Sequence, residues 1–524
     1  MTRLLTVIAA LLLLAGAVSC TANESAGLQP HSEHKGPAGA VPPGLLQFYG
    51  QTLAWGPCAN YATTAEDRES YQSNQIECAR MTVPMDYQNP QGPSITLGLL
   101  RRPASDPAHR IGSLLVNPGG PGASGMSAAA SLSTVVAETD LGRRFDLVGF
   151  DPRGVGSSQP EVHCLTDQER DTERLQNQTD NSPGGVAKSE LEEQNHAGKC
   201  AQRTGAGMLA NIGTRDVAKD MDVMRSALGD QKLTYLGYSY GTRLGSQYAE
   251  EFPANVRSMV LDGAIDPTQS EIDSQLAQAA GFQKAFNDFA GWCAGQRDCA
   301  LGTNPNNAVA AFQRLTRPLE QHPVPTGDGR QLSYSDATTG AIQALYSPQM
   351  WTQLNTGLGE IAQGRGTTLM ELADSYFGRG PNGRYSNITD AFDATRCVDD
   401  PRLTDPAMLQ DVDRRSRQAA PFLDDGQPPS PAKDLCAFWP APVTGVANQP
   451  VAPSLPPTLV ISTTGDPATP YVAGQRLASV LHGDLLTFEG TQHTAFLQGN
   501  SCVDAAATRY LVDLAPPAPG TRCR

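Results

Sequence analysis

Short apolar runs that stop at turn residues recur along the chain: SITLGLL, GSLLVNPGG, RFDLVGFDPRG, KLTYLGYS, VRSMVLDGA, PTLVISTTGD and DLLTFEGTQH. Runs this short, bounded by Gly, Pro, Asn or Asp, read as strands. Between several of them the period becomes helical, as in TRDVAKDMDVMRSALGD, where Val217, Met221, Met224 and Leu228 share one face. Strand, helix, strand, repeated, predicts an α/β fold with a mostly parallel sheet flanked by helices on both faces. The alternation breaks after VRSMVLDGAIDP and resumes at PTLVISTTGD. Residues 268–451 therefore read as a large helical insertion over a core made of residues 49–267 and 452–524. A smaller polar insertion, about 159–205, has no apolar core of its own.

MTRLLTVIAALLLLAGAVSC has one early arginine, an apolar run and small residues, the pattern of an export signal over residues 1–19. The run falls short of the roughly 20 apolar residues that span a bilayer. Ala17-Val18-Ser19-Cys20 resembles a bacterial lipobox, which would acylate Cys20 and anchor the chain to the outer face of the membrane. Ala15-Gly16-Ala17 offers the alternative of an ordinary cleavage that releases a soluble product. Residues 20–48, rich in Gly, Pro, Ala and Ser without an apolar period, read as a lipidated N-terminus and flexible tether.

The 11 cysteines strengthen the export reading, because an odd number leaves one without a disulfide partner, and Cys20 is the odd one. The other ten fall into near neighbours: Cys58 with Cys78, Cys164 with Cys200, Cys293 with Cys299, Cys397 with Cys436, Cys502 with Cys523. Their spread suits disulfides in an oxidising compartment rather than a metal cluster. A net charge of −15 with no block of Lys and Arg excludes a nucleic-acid backbone as partner.

The chemistry is carried by Gly237-Tyr238-Ser239-Tyr240-Gly241, a GxSxG motif. It stands where an apolar strand gives way to a helix, the sharp turn that pushes a serine hydroxyl outward as a nucleophile. Alone the motif is weak in a chain with 51 glycines. A serine nucleophile also needs a histidine base and an orienting carboxylate, here in the order Ser, Asp, His. Three histidines follow Ser239: His322 inside the insertion, His482 at the end of a helix, and His493 in the loop GTQHTAF after a strand. His493 is the base, and Asp466, in the turn TTGDPATP after another strand, is its acid. The developing oxyanion needs N–H donors. The backbone of Tyr240 supplies one, and Gly120, or Gly119 beside it, supplies the second from the loop NPGGPG. This chemistry requires no cofactor or metal.

NPGGPGASG, FDPRGVGSS, GYSYG, TTGDPATP and GTQHTAF together resemble the α/β-hydrolase serine peptidases of the prolyl and tripeptidyl aminopeptidase family. The likeness is to the exported actinobacterial lipoprotein branch with a tripeptidyl-aminopeptidase-like C-terminal region. It covers nearly everything after about residue 50. It departs at NPGGPG, where related enzymes often carry HGGPG. The resemblance implies an α/β-hydrolase fold with the insertion as its cap, and a triad of Ser239, Asp466 and His493. It implies an aminopeptidase that releases di- or tripeptides from peptide or protein substrates. An esterase or lipase on the same scaffold is the alternative, and a catalytically silent binding protein comes third, because fold alone does not fix function. An exopeptidase must also hold its substrate's free amine, for which Asp399, Glu271 and Asp266 are the candidates. The resemblance favours Asp399, because related sequences carry a similar Cys-x-Asp stretch. The sequence leaves the oligomeric state open.

Overall fold

The computed structural model describes residues 28–176, 179–445 and 447–524. The signal segment and Cys20 lie outside the described residues. Nine strands form one sheet: β1 (Glu77–Pro84), β2 (Ser94–Arg102), β3 (Gly112–Asn117), β4 (Phe145–Phe150), β5 (Leu233–Tyr238), β6 (Val256–Asp262), β7 (Leu459–Thr463), β8 (Asp484–Phe488) and β9 (Arg522–Cys523). Their order across the sheet is β9-β8-β7-β6-β5-β3-β4-β2-β1. Pairing is parallel from β9 through β4, while β1 and β2 add an antiparallel edge. Every residue of β3, β4, β5 and β7 is buried, as strands covered on both faces must be. The alternation predicted this mostly parallel sheet flanked by helices, and the α/β-hydrolase fold is the form of it that the resemblance implied.

The helices that matter below are α1 (Gly125–Val135), α2 (Asp167–Arg174), α3 (Pro183–Thr204), α4 (Thr214–Ala227), α5 (Tyr240–Glu251), α6 (Glu271–Ala294), α7 (Tyr334–Leu345), α8 (Thr367–Phe377), α9 (Ile388–Asp399), α10 (Tyr471–Val480) and α11 (Ser501–Asp513). Helix α4 presents the predicted apolar face, with Val217, Met221, Met224 and Leu228 all at most 3% exposed. The segment between β6 and β7 is mainly helical, as the break in alternation implied, and has its own aromatic core. Phe286 of α6 stacks on Phe422 at 4.6 Å and meets Phe312 edge-on at 5.4 Å. All five expected disulfides are present, and Cys164–Cys200 holds α3 to the start of the small polar insertion.

Two expectations need correction. The tether does not extend over all of residues 20–48. His31–Glu33 pairs antiparallel with Leu53–Trp55, Arg101 donates to Glu33 at 2.7 Å, and Ala38 exchanges hydrogen bonds with Ser226 and Arg225 at 2.9 and 3.0 Å. These contacts run largely through backbone groups, which composition does not reveal. Strand β1 also escaped the apolar pattern, because Glu77, Arg80 and Thr82 interrupt it. Glu77 is nevertheless buried, and Arg101 of the adjacent strand donates to it at 2.7 Å.

The FDPRG stretch after β4 is structural. Arg153 is buried and bonds Asp220 of α4 with two nitrogens, at 2.8 and 2.7 Å. It also donates to the carbonyls of Met85 at 2.9 Å and Asn211 at 2.6 Å. Both side chains of the ion pair are 0% exposed. Removing one member of such a pair strands the other charge. Asp220→Ala is therefore expected to lower unfolding free energy by about 3–5 kcal/mol, read from denaturant melts of the purified chain. A change below about 1 kcal/mol, the range of an exposed pair, would contradict this account.

Candidate active site

Ser239 occupies the turn from β5 into α5 at φ 53° and ψ −123°, a backbone conformation that non-glycine residues rarely adopt. Strand and helix approach so closely there that a Cβ on Gly237 would lie 2.4 Å from the carbonyl oxygen of Gly241. This contact is the physical reason for the glycines of the motif. The turn is held by the Ser239 N–H, which donates to the Asp262 carbonyl at 2.9 Å.

The loop after β3 packs directly on this turn. A Cβ on Gly119 would sit 2.6 Å from the Tyr238 carbonyl oxygen, 2.9 Å from Ser239 Cβ and 3.0 Å from the Tyr240 nitrogen, so only glycine fits. The Gly119 N–H donates to Asn117 Oδ1 at 3.0 Å, an Asx-type turn that accounts for the asparagine at this position. The N–H groups of Gly120 and Tyr240 have no acceptor among the described residues, and Tyr240 opens α5. Of the two glycines, Gly120 is thus the one whose N–H is open. Asp151 fixes the start of α1 behind this loop, accepting from Ser124 Oγ at 2.6 Å and the Met126 N–H at 3.2 Å. Burial pushes its carboxyl above the usual range. The sequence reading assigned Asp151 no role, although it lies in the FDPRG motif.

Asp466 and His493 meet as expected. Both carboxylate oxygens lie 2.9 Å from Nδ1 of the ring. Asp466 also accepts from the N–H groups of Ala468 and Thr469 at 2.9 Å and from Thr469 Oγ1 at 3.0 Å, which fixes its orientation. Burial disfavours a charged imidazole, but the charge and hydrogen bond of Asp466, with Asp262 behind, outweigh it and hold the His493 pKa above its ordinary value. The insertion contributes directly to this loop. The His493 N–H donates to the Tyr346 carbonyl at 2.9 Å, and the two rings meet edge-on at 5.4 Å.

Asp262, at the end of β6, is a further site residue that the sequence reading passed over. Its Oδ2 accepts from the N–H groups of Ala495 and Phe496 at 2.8 and 2.7 Å, and its carbonyl takes the Ser239 N–H. Complete burial pushes its pKa up to about 7 despite those two bonds. The next residue, Gly263, leaves room for His493, since a Cβ there would lie 3.0 Å from Cε1 of the ring.

Ser239 opens on a cavity of about 520 Å³ whose walls include Gly120, Tyr346, Tyr376, Phe377 and Phe392. A second cavity of about 320 Å³ shares Gly120, Pro121 and Phe392 with it and is lined by Asp266, Glu271, Asp399 and Asp400 among others. The three sequence candidates for an amine site therefore come together. Their availability differs. Asp399 is 2% exposed, and both its oxygens are taken by Thr214, through the backbone N–H at 3.0 Å and through Oγ1. Asp266 accepts from the N–H and hydroxyl of Thr268 at 2.9 and 2.7 Å. Among the described residues Glu271 accepts only from Gln275, at 2.8 Å, and burial with neighbouring Asp400 raises its pKa.

Among the described residues, Cys164, His196 and Cys200 are grouped closely enough to suggest metal ligands, but the two sulfurs are bonded to each other. No helix of the described residues is long and apolar enough to cross a membrane.

Comparison with known proteins places this geometry. Residues 112–500 match the family described as alpha/beta hydrolase fold. The chain is 48% identical over 486 residues to the serine protease Hip1 of Mycobacterium tuberculosis, covering 90% of this chain and 91% of that protein. It is 46% identical over 473 residues to carboxylesterase B of the same organism, covering 90% and 89%. It is 31% identical over 454 residues to the tripeptidyl aminopeptidase of Streptomyces coelicolor, covering 83% and 81%.

Proposed function

The chain belongs to the α/β-hydrolase family and is a serine hydrolase, and from that premise we propose that it is an exported aminopeptidase acting through Ser239, His493 and Asp466. The observation that carries the reading is the pairing of a strained serine turn at the cavity wall with an Asp466–His493 couple whose carboxylate is buried. With Nδ1 of His493 donating to Asp466, Nε2 is the nitrogen available to the serine hydroxyl. His493 takes that proton as Ser239 Oγ bonds to the scissile carbonyl carbon. The N–H groups of Gly120 and Tyr240 hold the resulting oxyanion, a contribution of about 3–4 kcal/mol per donor in comparable sites. His493 returns the proton to the departing amine, and the C–N bond breaks to leave an acyl-enzyme. Water, deprotonated by His493, then releases the acid and restores the serine.

The acidic cavity beside the serine supports the aminopeptidase reading. A substrate ammonium placed there would relieve the repulsion between Glu271 and Asp400, which is itself paired with Arg243 at 2.8 Å, and Glu271 has the fewest hydrogen bonds of the three candidates. Asp399 then acts from below, by fixing Thr214, whose hydroxyl lies 2.6 Å from that of Tyr240. The helical segment over residues 268–451 serves as the cap that bounds both cavities. Esterase activity is the second reading, favoured by the apolar walls around Ser239 and by the likeness to a carboxylesterase. Export rests on the five disulfides and the leader pattern, and membrane attachment on a lipid at Cys20.

Three outcomes test these proposals. A fluorophosphonate probe is expected to label the wild type and not Ser239→Ala; equal labelling of both removes Ser239 as the nucleophile. Short peptides with a free N-terminus are expected to be cleaved at least tenfold faster than their N-acetylated forms, since a lost charge-assisted bond is worth about 1.5–3 kcal/mol; equal rates would favour an esterase or endopeptidase. In the native actinobacterial setting that the sequence resembles, Cys20→Ala is expected to move the protein from the membrane fraction to the soluble one. Wild type found soluble and starting at Val18 would replace the lipid anchor with ordinary secretion.

A further inference from the structure

Among the described residues, Asp393 is the one carboxylate of the serine cavity wall that the mechanism leaves unused and that has no hydrogen bond or ion pair. It lies in the middle of α9, away from any helix cap, between Phe392 and Ala394. It lines the same cavity of about 520 Å³ as Ser239, together with Tyr376, Phe377 and Phe392. No hydrogen bond or ion pair to a described residue engages its carboxylate. Burial pushes its pKa up to about 6, and Asp390 adds to that, while Arg396, His196 and Arg170 act on it only from a distance.

Each of those three cations pairs with another carboxylate, although Nε2 of His196 has no partner among the described residues. Arg170 of α2 bonds Asp390, and also Glu173 at 2.9 Å. Arg396 of α9 bonds Asp434 at 2.8 Å. His196 of α3 contacts Glu173 through Nδ1 at 3.2 Å. Asp393 is half-buried against the cavity, and a carboxylate partly removed from water without a partner is costly, the ordinary remedy being a cation in direct contact. No described residue supplies that contact, and Asp393 forms part of the wall of the serine cavity. The aromatic rings there suit a long methylene stem and attract a cation over their faces.

We propose that Asp393 is the base of a specificity pocket that binds the lysyl or arginyl side chain of a peptide substrate near the scissile bond. The pocket rests on Ser239 being the nucleophile, and it adjoins the cavity assigned above to the substrate's α-amine, whose walls do not include Asp393. Because stem and ammonium of a lysine would run from the serine wall toward α9, the neutral isostere norleucine fills the same walls and leaves the carboxylate unpaired.

The test uses the mature chain and a set of quenched peptides with free N-termini, in which one lysine is stepped through the positions around the cleaved bond and then replaced by norleucine. At one position the wild type is expected to prefer lysine over norleucine by roughly tenfold or more in kcat/KM, the size of a charge-assisted hydrogen bond. Asp393→Asn is expected to bring that ratio close to one, and Asp393→Glu to keep most of it. Thermal melting of each variant separates a folding defect from a loss of selectivity. A wild type without lysine preference at any position overturns the proposal, as does a preference that survives Asp393→Asn. A third result would also overturn it. If Asp393→Asn slows free-amine peptides equally whether they carry lysine or norleucine, and spares N-acetylated ones, Asp393 reads the α-amine instead. Failure of the aminopeptidase reading is seen separately, in equal wild-type rates on free and acetylated peptides.

Discussion

Asp262 ties the two halves of the site together through one backbone carbonyl and one buried carboxylate. The carbonyl holds the N–H of Ser239, whose backbone sits in a conformation that needs outside support. The carboxylate takes two successive N–H groups just after His493, from Ala495 and Phe496. Serine turn and histidine loop belong to different strands and lie far apart in the chain, yet both are fastened to the last residue of β6. Such a buried carboxylate is tolerated only because its bonds to N–H groups offset part of the desolvation cost. Its Oδ1 has no partner, and its pKa is raised to about 7, so the offset is incomplete.

The inserted helical segment is more than a cover. Its Tyr346 carbonyl holds the His493 N–H, its α9 lines both cavities, and its aromatic core is packed as a unit of its own. A close-packed core transmits position faithfully. The placement of His493 therefore depends on residues far in sequence from the motif that carries it.

Much of this could be read from the chain. Strands buried on both faces show as continuous apolar runs, so the central strands were legible from hydrophobicity alone, while edge strand β1 was hidden by Glu77 and Arg80. The segment from His31 to Ala38 was misread for a related reason. Gly, Pro and polar residues signal a lack of side-chain packing, but this strap attaches through backbone pairing and through Arg101 and Arg225. Ser239, Asp466 and His493 stood out because each follows an apolar run at a turn. Asp262 follows one too, in MVLDGA, and the signal was there: a third aspartate at a strand end on the same edge of the sheet.

The sequence by itself carried the alternation of the central strands with helices, the break that marks the inserted segment, the near-neighbour spacing of the cysteines and the residue types brought to one edge of the sheet. These are properties of local period and spacing, which a chain carries in one dimension. Only the tertiary structure decided which carboxylates are free to act. Asp399, Glu271 and Asp393 look alike as acidic residues in a helical stretch. Folding gives the first both of its hydrogen bonds from Thr214, the second a single glutamine, and the third a place in the serine cavity with no partner among the described residues. The availability of a charge depends on neighbours distant in sequence and on the water they exclude, and neither is written in local pattern.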